Sequence, residues 1–281
     1  GIETEFSKQT GFAEKLSLNG EPVLYSPLKL QIWRAALDND GLKLWTGQDH
    51  KFIGPWLKYG YNTLDPECTG IDCSAEPDNS LRVRTVHTCP LKQTDEVITY
   101  SLEYTFSDSN IIEVTCDLNV PADLPHLPRI GLTCGLQPGF ENVVWYGRGF
   151  YENYTDRKAS AFIGKYTAQV EDLYVPYVMP QENGARSDIR TLEISSSASS
   201  VRITGGSPFM FSAHHFTADD LFAARHINEI RRREETVLSL DYMQCGVGTG
   251  SCGPQTLEQY RIPAGRYRFG FRFGFSDRGK E

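Results

Sequence analysis

Two stretches of the chain gather the side chains that polar chemistry needs. Trp145-Tyr146-Gly147-Arg148-Gly149 runs into Tyr151-Glu152-Asn153-Tyr154-Thr155-Asp156-Arg157, and Leu173 to Arg186 adds Tyr174, Tyr177, Gln181, Glu182 and Asn183. Each stretch combines carboxylate, amide, guanidinium and aromatic rings on segments without strand or helix periodicity, where a β scaffold usually carries its function. Such a set suits a sugar, whose apolar face stacks on rings while its hydroxyls seek fixed donors and acceptors. It suits bracing of irregular backbone equally well, since Asp156 and Arg157, or Glu182 and Arg186, can anchor amides or pair with other residues. Composition favours bracing for Glu152, Asn153, Asp156, Arg157, Glu182, Asn183 and Arg186, with direct sugar contact as the alternative use.

Hydrolysis of a glycoside with retention requires two carboxyl groups about 5–5.5 Å apart, one nucleophilic and one an acid of raised pKa. Glu152 with Glu182 is the pairing worth considering. Nothing in the pattern brings the two together or surrounds either with apolar groups that would raise its pKa. No catalytic residue is therefore assigned. His214 and His215 are adjacent in an expected strand, so their side chains diverge to opposite faces. His50, His87, His126 and His226 are scattered without ligand spacing, so no metal site and no cofactor are expected in this chain. No glycine motif precedes a helix in the manner of a phosphate cradle. A last segment, Met243 to Pro254, places glycine at 246, 248, 250 and 253. Glycine permits close backbone approach to a ligand or a neighbouring domain, and a tight turn between strands explains the same spacing.

The elements that must position these segments read as strands. Ile98, Tyr100, Leu102, Tyr104 and Phe106 fall on one face of a period-two run. So do Ile112, Val114, Cys116, Leu118 and Val120, and Tyr267, Phe269, Phe271, Phe273 and Phe275. A helix would scatter these stripes, whereas a half-buried antiparallel strand collects them. Further strands are expected at 81–89, 129–136, 143–146, 190–194, 209–216, 236–242 and 257–262, with a hairpin at Asn19-Gly20. One segment reads as helix, with Thr217 and Asp220 as a capping box before Leu221 to Arg225. Stretches 66–80 and 151–184 read as long loops within one large all-β sandwich domain spanning 1–281.

At 281 residues and a net charge of -8, the composition is that of a globular chain whose charge disfavours nucleic acid and anionic membranes as partners. Arg231-Arg232-Arg233 lies among Glu229, Glu234 and Glu235 and reads as a solvated charged stretch. There is no apolar run of membrane-span length and no signal-peptide pattern. The seven cysteines are odd in number. Cys89, Cys116 and Cys134 lie in strands as small hydrophobes, and Cys68 with Cys73 is the one candidate for a local bridge. A reduced, cytoplasmic setting is expected.

These segments also carry a resemblance. Ala36-Leu37-Asp38-Asn39-Asp40 resembles the APLDND motif of the C-terminal domain in large β-galactosidases of glycoside hydrolase family 2. Glu152 to Arg157 is similar to ENYPDR, and Tyr177 to Gly184 followed by Arg186 is similar to YV-P-ENG-R. Gly246–Pro254 resembles the family's glycine loop, and Ala264-Gly265-Arg266-Tyr267 resembles SAGRYHY. The resemblance implies a large antiparallel supersandwich of the galactose mutarotase-like type. It also implies that the two catalytic glutamates, and the Mg and Na sites, lie in domains outside this chain. The partners implied are those remaining domains, or a large subunit, and a β-galactoside such as lactose. The glycine loop would supply Gly250, Ser251 and Cys252 to the wall of the sugar pocket, with Cys252 standing where the best-known member has Trp. Gly1, without an initiator Met, suggests a fragment, while a natural small subunit is the other reading. From a different class, the fold would also serve a free-standing carbohydrate-binding or aldose-epimerase-like protein.

Overall fold

The computed structural model describes residues 1–107 and 110–278. A small antiparallel sheet opens the chain, built from β1 (Ile2–Phe6), β2 (Ala13–Leu18) and β3 (Glu21–Pro22). It turns at Asn19 and Gly20, whose φ angles of 52° and 82° give the two-residue hairpin the twist its strands need. Next come β4 (Leu24–Gln31), β5 (Glu67–Ala75), β6 (Leu81–Pro90), β7 (Val97–Ser107) and β8 (Ile111–Asn119). They are followed by β9 (Arg129–Leu136), β10 (Asn142–Gly149), β11 (Phe162–Gln169), β12 (Arg186–Ile189) and β13 (Thr191–Ser195). The last four are β14 (Ser199–Gly205), β15 (Phe209–His214), β16 (Thr236–Gln244) and β17 (Arg266–Asp277).

Nine of these strands form one antiparallel sheet in the order β11-β10-β13-β14-β17-β8-β7-β6-β5, and five form a second in the order β12-β15-β16-β9-β4. The final strand thus inserts between β14 and β8, so the large sheet closes only when the C-terminal segment arrives. The sheets pack face to face through aromatic contacts. Phe209 meets Phe271 at 5.3 Å between ring centres, Tyr242 stacks on Phe269 at 5.2 Å, and Trp145 meets Phe211 at 5.7 Å. The β17 stripe faces this core, with Phe269, Phe271, Phe273 and Phe275 buried and Arg268 and Arg272 in water. Each such phenyl group contributes about 1.5–3 kcal/mol by leaving solvent.

Three expectations are corrected. Stretch 66–80 contains β5 and stretch 151–184 contains β11, and these are the two edge strands of the large sheet. An edge strand has one neighbour and buries little, so ECTGIDCSA and FIGKYTAQ carry no apolar alternation to detect. Segment 257–262 is a 3-10 turn over Glu258–Tyr260 with a single bridge from Ile262 to Leu127. A second helix accompanies the expected one. α1 (Ile53–Tyr59) buries Ile53 and Trp56 and stops at Gly60, whose φ of 79° is the left-handed ending glycine favours. α2 (Ala218–Ala223) begins with the Thr217–Asp220 capping box. Cys68 and Cys73 share β5, where a bulge after Cys68 puts them on the same face, but about five residues of extended strand separate them by far more than the ~7 Å a disulfide spans, and both are free thiols.

Candidate functional site

The site is assembled where loops from four parts of the chain meet beside the five-stranded sheet. After β4 the backbone leaves the sheet at Trp33 and folds over Arg34, which is fully buried. Arg34 grips Asp40 with two bonds, Nε to Oδ2 at 3.1 Å and Nη2 to Oδ1 at 2.8 Å. Its remaining donors reach the carbonyls of Cys245 at 2.5 Å and Gly246 at 3.1 Å, tying segment 34–40 to the start of the glycine loop. A buried guanidinium needs this complete set of acceptors, because an unpaired charge out of water costs several kcal/mol.

Asn39 holds the next part of that loop. Its Nδ2 donates to Gly248 O at 2.8 Å, and its Oδ1 accepts from Ser251 N at 3.0 Å and Ser251 Oγ at 2.6 Å. Asp156 grips the loop from the other side, accepting from Val247 N at 2.9 Å and Gly248 N at 2.8 Å. The glycines serve these grips. A Cβ on Gly246 would lie 2.6 Å from Asp156 Oδ2, and one on Gly250 would lie 2.5 Å from Asn39 O. The close approach that the spacing foretold is thus made to this chain's own bracing residues. Gly250 O also accepts from Lys51 Nζ at 2.6 Å. Cys252 sits exposed beyond these anchors, its amide on Thr249 O.

Segments 151–157 and 177–186 form a second braced unit. Glu152 accepts from Arg157 and from the Tyr177 hydroxyl, and its other oxygen takes Gly184 N at 2.8 Å. Arg157 also lies over the Tyr154 ring at 5.2 Å. Asn153 Oδ1 accepts from Ser187 N and Oγ, while its amide donates to Tyr151 O. Asn183 Oδ1 takes Val175 N, and its amide donates to Gln181 O. Arg186 donates to the carbonyls of Leu173, Gly184 and Phe150 and lies over Trp145 at 5.8 Å. Burial lowers its pKa to about 10, which leaves it charged at neutral pH.

Glu182 goes elsewhere. It is buried and pairs with Arg129 at 3.4 Å, and Arg129 also grips Asp241, with Nε to Oδ1 at 2.9 Å and Nη2 to Oδ2 at 2.5 Å. Glu152 and Glu182 therefore each serve a different guanidinium. Burial pushes the Asp241 carboxyl up to about 6 against the pull of Arg129. Sequence reasoning missed Arg34, Arg129 and Asp241. The available signal was charge within apolar strand text, Asp241 following Leu238-Ser239-Leu240 and Arg129 preceding Ile130. His214 and His215 diverge as expected. His214 Nε2 bonds Asn183 O, and His215 bonds Glu235 O and Glu141. Arg231 to Arg233 are exposed, with Arg232 on Glu141 and Arg233 on Asp220.

A family model described as β-galactosidase small chain matches residues 1–273. The chain belongs to that family. The β-galactosidase of Vibrio cholerae is 34% identical to it over 90% of this chain, and that of Pseudoalteromonas haloplanktis 30% identical over 94%. The chain spans about a quarter of the length of these curated relatives, 24% and 25% respectively. Among solved structures, a galactose 1-epimerase from Lactobacillus acidophilus superposes with a TM-score of 0.54 over 99% of this chain and 92% of its own, at 10% identity. That likeness concerns the fold, which is the galactose mutarotase-like supersandwich that the resemblance implied, in keeping with the alternating strands. No helix is long and apolar enough to cross a membrane among the described residues.

Proposed function

We propose that this small-chain sequence is one domain, 1–281, of a larger cytoplasmic β-galactosidase that cleaves terminal β-D-galactosides such as lactose with retention. In this reading the domain shapes one wall of the sugar pocket, and the chemistry belongs to glutamates in the remaining domains. Mg and Na sites are likewise assigned to those domains. Among the described residues no group of three or more His, Cys, Asp or Glu could hold an ion.

The observation that carries the reading is the double grip on the glycine loop. Asn39 and Asp156, more than a hundred positions apart in the chain, fix residues 247–251 through five hydrogen bonds and leave Cys252 exposed at the tip. A loop ordered in advance loses little entropy when a ligand or neighbouring domain meets it, which is what a pocket wall requires. Cys252 offers a small polarizable contact and no stacking plane.

The test is steady-state kinetics of the intact enzyme on lactose and an aryl galactoside. Cys252→Trp adds an aromatic face, an effect on the scale of about 0.5–1.5 kcal/mol, and should shift KM with little change in the glutamate chemistry. The isolated chain should fold and leave a chromogenic galactoside uncleaved. Unchanged kinetics in both Cys252→Trp and Cys252→Ala would remove the loop from the pocket.

A further inference from the structure

The nine-stranded sheet ends in two edges, and they are defended unequally. β5 carries Glu67 and Asp72, and a bulge between Cys68 and Gly70 breaks its register with β6. Charged side chains and bulges are what keep a free edge from pairing further. β11, FIGKYTAQ, runs in unbroken register with β10 from Phe162 to Gln169 and holds one charge, Lys165. No strand flanks its other side among the described residues. Two bonds fix which backbone groups lie on that side. Val170 N donates to Glu141 O, and Arg190 N, next to β13, donates to Tyr146 O. Odd-numbered residues of β10 therefore turn to β11 and even-numbered ones to β13, so the even-numbered residues of β11 bond inward. The N–H and C=O groups of Ile163, Lys165 and Thr167 point outward. Gln169 follows the same alternation, and its N–H is taken by Asp172 Oδ2 at 3.2 Å.

The side chains along this edge lose their cover toward its start. On the inner face Ala168 is buried, Tyr166 is half-buried and stacked on Trp145 at 5.4 Å, and Phe162 is 74% exposed. Phe162 stands opposite Gly149, which has no side chain to cover it, and Gly149 leads straight into Phe150 and Tyr151. Those two rings meet at 6.1 Å and are 43% and 75% exposed. On the outer face Tyr146 and Ile163 are exposed as well. A regular, unpaired edge with apolar side chains beside it is a template for one more strand.

We propose that β11 receives an extended segment from the remaining domains of the larger enzyme, as a tenth strand of this sheet. The inference rests on reading the chain as one domain of that enzyme, and the chain spans only 24% and 25% of the two curated relatives. A second copy of this chain fits the edge poorly. At about 150–250 Å2 per ring, the exposed parts of Phe150, Tyr151 and Phe162 come to roughly 300–500 Å2. That is below the ~800 Å2 that each partner of a free-standing complex buries. A two-fold pairing of β11 with itself also sets Lys165 opposite or diagonal to its own copy, where like charges repel. A segment tethered in the same polypeptide needs less area, because its effective concentration is high. The segment that fits is extended, with an aromatic or branched apolar side chain against Phe162 and a carboxylate beside Lys165.

The test is amide hydrogen exchange, read residue by residue in the 281-residue chain and in the intact larger enzyme. The amides of Ile163, Lys165 and Thr167 should exchange freely in the chain and at least a hundredfold more slowly in the enzyme. Lys165→Pro removes an outward N–H and none of the bonds to β10, so the chain should keep its melting temperature. In the enzyme the same variant should return Ile163 and Thr167 to free exchange. Equal exchange in chain and enzyme would overturn the proposal, and so would protection that survives Lys165→Pro. A chain that dimerises with these amides protected would overturn it in favour of a second copy. Should the isolated chain not fold, exchange in wild-type and Lys165→Pro enzyme decides it alone. Galactosidase activity is not part of the readout. An inactive enzyme with β11 protected would sink the proposed function alone, and an active one with β11 free would sink this inference alone.

Discussion

The two sheets of this sandwich use the same strand geometry to opposite ends. In the nine-stranded sheet β6, β8 and β17 alternate between buried and water-facing positions, so one face packs and the other is solvated. In the five-stranded sheet β9 and β15 are buried on both faces. One face of β9, with Ile130, Leu132, Cys134 and Leu136, joins the apolar core, and the other carries Arg129 and Thr133 toward a pocket that Trp33, Tyr61 and Leu221 also line. A sheet buried on both sides has to satisfy its polar groups internally, and it does so with the Arg129–Asp241–Glu182 cluster. The large sheet holds the fold together, while the small one fixes the loops.

The largest expected difference between the sheets follows from that cluster. Arg129→Met leaves Asp241 and Glu182 buried without their cation and should cost about 3–5 kcal/mol, read from denaturant midpoints. The double variant Arg129→Met with Asp241→Leu should recover a large part of the loss, because charge and counter-charge leave together. A single variant that melts with the wild type would mean that the cluster is solvated, and the contrast between the sheets would fail.

Acid titration sharpens the same contrast. Burial holds His87, on β6 of the large sheet, and His214, on β15 of the small one, down at about 4, from an ordinary value of 6.5. A histidine kept neutral by the fold contributes stability that is complete above pH 6.5 and lost as pH falls through about 4. At about 1.36 kcal/mol per unit, each contributes a loss of roughly 3 kcal/mol across that window. Asp241 runs the other way. Its folded value of about 6 stands above the ordinary 3.8, so its contribution is full below 3.8 and is lost as pH rises through about 6. With His126 held down to about 4 as well, three histidines outweigh this carboxyl, and stability should fall on acidification from 6.5 to 4. Asp241→Asn removes the opposing contribution, so its loss over that range should be steeper than wild type. Equal slopes would contradict the burial of Asp241.

What the sequence disclosed follows this division. Strands β6, β7, β8 and β17 were legible because alternation is the imprint of one wet face, as in Arg266 to Phe275. The edge strands β5 and β11 left no such imprint, since neither buries a continuous face. At the site, the polar segments 151–157 and 177–186 were visible as composition, and Asn39 entered only through a motif. Their partners were not visible. That Asp156 holds Val247 and Gly248, and Arg34 the Cys245 carbonyl, are contacts between segments 91 and 211 residues apart, which no local pattern records.

Asp156→Ala comes next in size. It removes two charge-assisted bonds to backbone amides that lie beside Gly246, where no side chain can take its place. A cost of about 1–3 kcal/mol is expected, the range for a buried bond losing one partner. Hydrogen exchange at Val247 and Gly248 should accelerate well beyond what global unfolding explains. Fast exchange confined to those amides means a loosened loop on an intact sheet, whereas uniform acceleration would make Asp156 a general stabiliser.

The smallest effect belongs to the large sheet, and it uses the same chemistry as the largest. Arg268 and Asp117 stand directly opposite on β17 and β8 and pair at 2.7 Å, a length close to the 2.5 Å of Arg129 with Asp241. Their side chains are 67% and 45% exposed, so water already solvates both charges and salt screens what attraction is left. Arg268→Ala should therefore cost about 0.2–1 kcal/mol, and less as ionic strength rises, whereas Arg129→Met should respond little to salt. Chemical denaturation with urea at low and high sodium chloride reads both quantities. If Arg268→Ala cost as much as Arg129→Met, burial would not be what separates two ion pairs of nearly equal length, and the distinction between a sheet that packs and a sheet that positions would lose its energetic basis.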